Sequence, residues 1–229
     1  MAEITTSDVA RRLGITHRQA NRIVSSGELS VRKLSNGAWV VEPDSLARFE
    51  VRRKSGAGRK LSASTAWALL WELSGLDADW LPVRTRARVA GRIREADVEQ
   101  LVRDVAGRTR GHRFRSANAE RVVPDILATG RLAASRLDTD LIEDGRRIAG
   151  YVPAGIEVND FARSHFMAAD PNGADVLFEN TLPADYSGGV MPDAVIAADL
   201  ALSTDTRERS AGIEALENLK ERWLATRSR

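Results

Sequence analysis

The sequence predicts an α+β fold in three parts: a small basic head, a helical segment, and a mixed α/β body. Three observations predict it. Apolar residues recur at helical spacing over about 62–105, short apolar runs separated by turn residues take over from about Gly111, and charge divides unevenly along the chain. Residues 1–60 hold 12 basic against 6 acidic side chains, whereas residues 116–229 hold 12 against 19, beneath a net charge of only +2. Such a split points the front of the chain at a polyanion and the back at something else. A composition of 43% hydrophobic and 29% charged residues excludes fibres and wholesale disorder. The absence of cysteine excludes a disulfide scaffold, a Cys-ligated zinc site and a thiol nucleophile. No apolar run approaches the ~18 residues of a membrane span, and Met1-Ala2-Glu3-Ile4-Thr5-Thr6 lacks the basic and apolar regions of a signal peptide, so a cytoplasmic location and no membrane partner are expected.

The head comes first. Thr6 is placed to cap a short helix whose inner face is Val9, Ala10 and Leu13, and Gly14 ends it, since glycine enters the left-handed region cheaply. Ile15 plugs the turn. Thr16 and Gln19 have capping-box spacing, so a second helix starts at His17 with Ala20, Ile23 and Val24 inward. At 100° per residue Arg18, Asn21, Arg22 and Ser25 fall on the opposite face, with His17 on its flank. A short helix, a glycine turn and a capped helix describe a helix-turn-helix. Arginine can bond guanine O6 and N7, asparagine can bond adenine N6 and N7, and Thr16 or Ser25 can hold phosphates. Gly27 is expected to end the second helix. Leu29 to Leu34 then alternate toward Ser35-Asn36-Gly37, a hairpin turn before Ala38-Trp39-Val40-Val41. That hairpin reads as a wing, with Arg32 and Lys33 on its first strand and Asn36 at its tip, within reach of the backbone or minor groove.

Asp8-Val9-Ala10-Arg11-Arg12-Leu13-Gly14-Ile15, Ser26-Gly27-Glu28-Leu29, Gly37-Ala38-Trp39-Val40-Val41 and Asp44-Ser45-Leu46 resemble the winged helix-turn-helix of the excisionase and MerR groups over about residues 4–50. The resemblance implies double-stranded DNA as a partner and is weak about biological role. The full expectation is therefore a winged helix-turn-helix over 1–51, a basic linker over 52–60, a helical segment over 61–110 and a mixed α/β C-terminal domain over 111–229.

The linker, Arg52-Arg53-Lys54-Ser55-Gly56-Ala57-Gly58-Arg59-Lys60, places five positive charges among small residues. It reads either as a solvated hinge or as an arm along DNA; it lacks the spacing of a P-loop. A helix then opens at Ser62 or Ser64 with Trp67, Leu70 and Trp71 as core. A second runs from about Pro82 to Arg94, and a third carries Val98, Leu101, Val102 and Val105 on one stripe. In the body, strands are expected at 113–115, 148–152 and 176–181, a helix at 118–127, and a turn at Pro171-Asn172-Gly173. An apolar helix over 192–202 and an amphipathic one over 206–225, with Ile213, Leu216, Leu219 and Trp223 on one side, close the chain.

A second resemblance covers more of the chain. Thr65-Ala66-Trp67-Ala68-Leu69-Leu70 behind a Gly-Arg-Lys linker, Val195-Ile196-Ala197-Ala198-Asp199-Leu200, Asp205-Thr206-Arg207 and Ala211-Gly212-Ile213-Glu214-Ala215-Leu216 resemble actinobacterial proteins of the AbiEi antitoxin type. It implies a repressor of its own promoter; repeated or inverted half-sites are expected because one small winged domain buries too little DNA surface to bind an operator tightly alone. It also implies the antitoxin of a type IV toxin–antitoxin operon whose toxin is a nucleotidyltransferase, with direct toxin binding left open. The alternative is a regulator of the MerR or excisionase kind whose C-terminal domain senses a small molecule or partner. No cofactor and no catalytic residues are expected. His17, His112 and His165 lack the spacing of a helical metal site. Asp138-Thr139-Asp140 resembles the paired carboxylates of nucleotidyltransferases but lacks the preceding Gly-Ser, and Glu120, Asp125 and Glu179 have no evident partner in the sequence. Arg113 and Arg115 around Phe114 fit nucleic-acid contact and an edge strand equally.

Overall fold

The structure, a computed structural model, describes residues 4–26, 28–35, 37–54, 61–141 and 146–227. The chain opens on β1 (Ile4–Thr5) and α1 (Thr6–Leu13). The cap of α1 falls one residue earlier than the sequence analysis expects. The Thr5 hydroxyl accepts from the Asp8 amide and the Asp8 carboxylate accepts from the Thr5 amide at 3.0 Å, while Thr6 is buried. Spacing explains the shift: Asp8 stands three residues after Thr5 and completes a capping box, whereas Val9 stands three after Thr6 and cannot. Gly14 ends α1 at φ 61°, as its freedom from a Cβ allows.

The next helix, α2 (His17–Ser25), has the expected box, with Gln19 returning its side-chain oxygen to the Thr16 amide at 3.0 Å. Ser26 is its C-cap, and Gly27, expected to end it, lies outside the described residues. β2 (Val31–Lys33) and β3 (Trp39–Val41) form the expected hairpin. β1 pairs along the other edge of β3, giving a three-stranded antiparallel sheet of order β1-β3-β2. The following α3 (Pro43–Lys54) runs past residue 51, so 52–54, assigned to the linker, are helical. The rest of the linker, 55–60, lies outside the described residues. Val9, Ala20, Val24, Leu29, Val41, Leu46 and Phe49 form a separate core for this head.

Three helices follow as expected: α4 (Ala63–Leu73), α5 (Val83–Glu95) and α6 (Val98–Val105); Ser62 and Asp97 cap the first and third, and Pro82 precedes the second. The body continues with β4 (Gly111–Arg115), β5 (Leu127–Ala128), β6 (Ala149–Tyr151), α7 (Val158–Ser164), β7 (Ala168–Ala169) and β8 (Asp175–Phe178). The helix expected over 118–127 is absent. Pro124 has no amide to donate in a continuous α-helix, so two 3-10 turns, Ala119–Arg121 and Val123–Asp125, lead into β5 instead. The sheet has five strands in the order β5-β6-β8-β4-β7, with β6 and β8 parallel and the other pairs antiparallel. The fold is mixed α and β.

Two helices close the chain, α8 (Asp193–Ala201) and α9 (Thr206–Arg227). Every residue of α8 after Asp193 is buried, which makes it the axis of the body. It crosses α9 at Gly212, where a Cβ would stand 2.2 Å from the Ala201 nitrogen. The head is fastened to this axis. From α3, Arg48 Nη2 donates to Asp199 Oδ1 on α8 at 3.0 Å, and its guanidinium carbon lies 4.7 Å from the centre of the Phe178 ring. Beside it, the Ser30 hydroxyl donates to the Gly111 carbonyl at 3.0 Å. Among the described residues no helix is long and apolar enough to cross a membrane.

Candidate nucleic-acid interface

Burial of Ala20 and Val24 and the closed capping box fix both the rotation and the start of α2, and so determine what its outer face presents. His17, Arg18, Asn21, Arg22 and Ser25 are all exposed there. The side chains of Arg18 and Arg22 enter no hydrogen bond or ion pair among the described residues. Asn21 Nδ2 donates to His17 Nδ1 at 3.1 Å, which leaves the proton of the neutral ring on Nε2 and the Asn21 carbonyl oxygen open as an acceptor. The Ser25 hydroxyl donates to the Arg22 carbonyl, and Thr16 is committed to its cap, so both are anchored groups with spare lone pairs. Two unpaired guanidiniums beside an amide and an imidazole N–H make a surface rich in donors, the chemistry that acceptors on guanine and on phosphate require.

On the hairpin the two cations part company. Lys33 pairs in register with Trp39 and is exposed, its ammonium 5.6 Å from the ring centre. Arg32 pairs with Val40, which is buried, and so lies half-buried on the opposite face of the ladder. Asn36 lies outside the described residues; Gly37 next to it closes the turn at φ 83°. Thus the structure gathers Arg18, Asn21, Arg22, Ser25 and His17 on one helix face, and separates Arg32 from Lys33. Asp8, at the start of α1, has its carboxyl held below the usual range, first by the Thr5 hydroxyl and then by the Thr5 amide and the Arg11 charge.

Comparison with family models finds no match, and neither curated proteins nor solved structures offer a significant one. The residues carry the argument alone.

Two clusters in the body have no counterpart in the sequence analysis. The first imitates a catalytic trio: His165 Nε2 lies 2.9 Å from Asp125 Oδ2, and His165 Nδ1 lies 3.1 Å from the Ser164 hydroxyl. Its wiring is different. Nδ1 also meets the Phe161 carbonyl at 3.0 Å, and the Ser164 hydroxyl donates to that same carbonyl at 2.7 Å. The Ser164 hydroxyl proton is spent on the Phe161 carbonyl and is not aimed at the ring, as a catalytic serine's must be. Stacked 4.1 Å from Phe161, this histidine locks the end of α7 beside an open cavity of about 790 Å³. Among the described residues no group of three or more His, Asp or Glu side chains is placed to hold a metal ion.

The second cluster is buried at the seam between head and body. Asp199 Oδ1 accepts from Arg48 at 3.0 Å and Arg108 at 2.7 Å, while Oδ2 accepts from the Tyr151 hydroxyl at 2.9 Å and the Thr129 hydroxyl at 2.8 Å. Burial pushes the Tyr151 phenol well up, so it stays a donor. Burial also pulls on the Arg108 guanidinium, but Tyr151 and Asp199 outweigh it and hold the group charged. These residues come from separate segments, 151 positions apart for Arg48 and Asp199, and no local pattern announces them.

Proposed function

We propose that the head is a winged helix-turn-helix that binds duplex DNA in a sequence-specific way, as a transcriptional repressor. The observation that carries the reading is the outer face of α2, where Arg18 and Arg22 stand exposed and unpaired on a helix whose rotation the head core fixes. In this reading α2 enters the major groove with Arg18, Asn21 and Arg22 toward base edges, and Lys33 on the hairpin meets backbone phosphate. Fluorescence anisotropy with a duplex from its own promoter tests it. Arg22→Ala is expected to weaken specific binding by about 1–3 kcal/mol, while Lys33→Ala weakens all sequences alike and lowers the salt slope by about one. Binding by Arg22→Ala equal to wild type would remove α2 as the reading element. One such head buries only roughly 600–1,000 Å² on DNA, so two or more copies on repeated or inverted half-sites are expected in a footprint.

The biological setting we propose is repression of its own operon as an antitoxin against a nucleotidyltransferase toxin. Support comes from the resemblance to AbiEi-type proteins at 195–200, 205–207 and 211–216. Of those residues, 195–200 are buried in α8 and bear on the shape of the body, whereas Asp205, Thr206 and Arg207 at the start of α9 are exposed. Co-expression with the toxin decides the matter: restored growth supports it, and growth arrest despite full-length protein leaves a DNA-binding repressor alone.

A further inference from the structure

The open cavity beside α7 lies wholly within the body, and its volume of about 790 Å³ falls inside the range of roughly 300–1,000 Å³ usual for small-molecule sites. Ile126 and Phe161, both buried, and Leu127 supply apolar wall, and Ile156 lines the cavity while remaining 45% exposed. Charge gives this wall a sign. The chain has 34 lysines and arginines, yet among the described residues none lines the cavity, whereas Asp125, Asp160 and Asp185 all do. The exposed Asp185 carboxylate enters no hydrogen bond or ion pair among the described residues. Asp125 spends Oδ2 on His165, and Asp160 spends Oδ1 on Arg163 in an exposed pair of the kind that adds little stability. The second oxygen of each accepts no hydrogen bond among the described residues. The one imidazole in the lining, His165, is engaged by Asp125 and the Phe161 carbonyl.

We propose that this cavity binds a small organic ammonium ion, with its apolar part on Ile126, Leu127 and Phe161 and its cationic head on Asp185. A carboxylate at the edge of an apolar cleft holds such a head by a charge-assisted hydrogen bond, while a phosphate or carboxylate ligand would meet three like charges and no arginine or lysine to offset them. The apolar wall selects for a carbon skeleton and so separates the ligand from a bare inorganic cation. The site stands whether or not the head binds DNA, because no residue of the head lines it.

Amide chemical shifts of the full chain, followed by NMR during titration with benzylamine, an ammonium ion at neutral pH, test the proposal. Benzyl alcohol and benzoate carry the same ring with a neutral and an anionic head, and all titrations are run at equal ionic strength. Benzylamine is expected to give saturable shifts at amides of residues 161–165 and 184–189, which border the cavity. Benzyl alcohol should bind about tenfold more weakly, the equivalent of one charge-assisted hydrogen bond, and benzoate should give no saturable shift there. Asp185→Asn, at an exposed position, should lower benzylamine to the affinity of the alcohol and leave the alcohol unchanged. Asp77→Asn, an exposed aspartate outside the cavity, should change neither. Absence of saturable shifts at the cavity, equal affinity for amine and alcohol, or undiminished benzylamine binding in Asp185→Asn would each overturn the proposal.

Discussion

Asp199 is the single carboxylate on which two buried guanidiniums depend, and its replacement tests the energetics of the seam directly. Asp199→Asn keeps the shape but turns one accepting oxygen into a donor and strands Arg108 and Arg48 as buried charges, so urea denaturation is expected to show a loss of about 3–5 kcal/mol. Glu179 gives a milder and pH-dependent effect. Its Oε1 lies 3.1 Å from His112 Nε2, and that hydrogen bond holds its carboxyl below the ordinary 4.5 against the opposing pull of burial, with the charges of His112 and Arg110 assisting. A carboxyl with a lowered folded pKa binds protons more weakly folded than unfolded. Its stabilisation is therefore present above pH 4.5 and lost as pH falls through the lowered value. Glu179→Gln should flatten part of the acid limb in melts taken from about pH 3 to about pH 7, the remaining slope including Asp8, whose carboxyl is also lowered. The sequence shows Glu179 and His112 as isolated polar residues because 67 positions separate them, and only the register of β4 against β8 brings them together.

Two helical glycines predict opposite outcomes. Gly212 on α9 has no room: an added Cβ would stand 2.6 Å from the Ala197 carbonyl and 2.2 Å from the Ala201 nitrogen, both backbone. Gly212→Ala should therefore destabilise by about 1–3 kcal/mol in urea titration despite alanine's better helix propensity. Gly91 on α5 has no neighbour within 4 Å of that position and a helical backbone, so Gly91→Ala should stabilise by about 0.5–1 kcal/mol. The same contrast explains which elements can be read from sequence. The helices α2, α4 and α6 carry their own start signals in Thr16, Ser62 and Asp97 and their own apolar stripes, and they stand within a residue or two of where the spacing puts them. Two-residue strands such as β1, β5 and β7 carry no period at all; partners far along the chain define them. Pro124 is the legible signal against a helix over 118–127. For the candidate site, the outer face of α2 was legible because one helix supplies all of it. The split between Arg32 and Lys33 follows from pairing with Val40 and Trp39.

Taken whole, the molecule has two cores joined by a polar seam. The head core is small, and a unit of about fifty residues is marginal alone, so its stability leans on the body through Arg48, Ser30 and the contacts of α3. Wild-type protein is expected to melt in one calorimetric transition, whereas Arg48→Met should split it, with the head unfolding first. That variant leaves Arg108 and Asp199 as a matched pair, so the body should keep its own transition. The asymmetry also orders the histories open to this cluster. A lineage can shed the α3 arginine first and remain folded, and only afterwards trade the remaining pair for apolar side chains. Losing the aspartate first strands two cations in one step, so descent toward a head that swings free starts more cheaply at position 48 than at position 199.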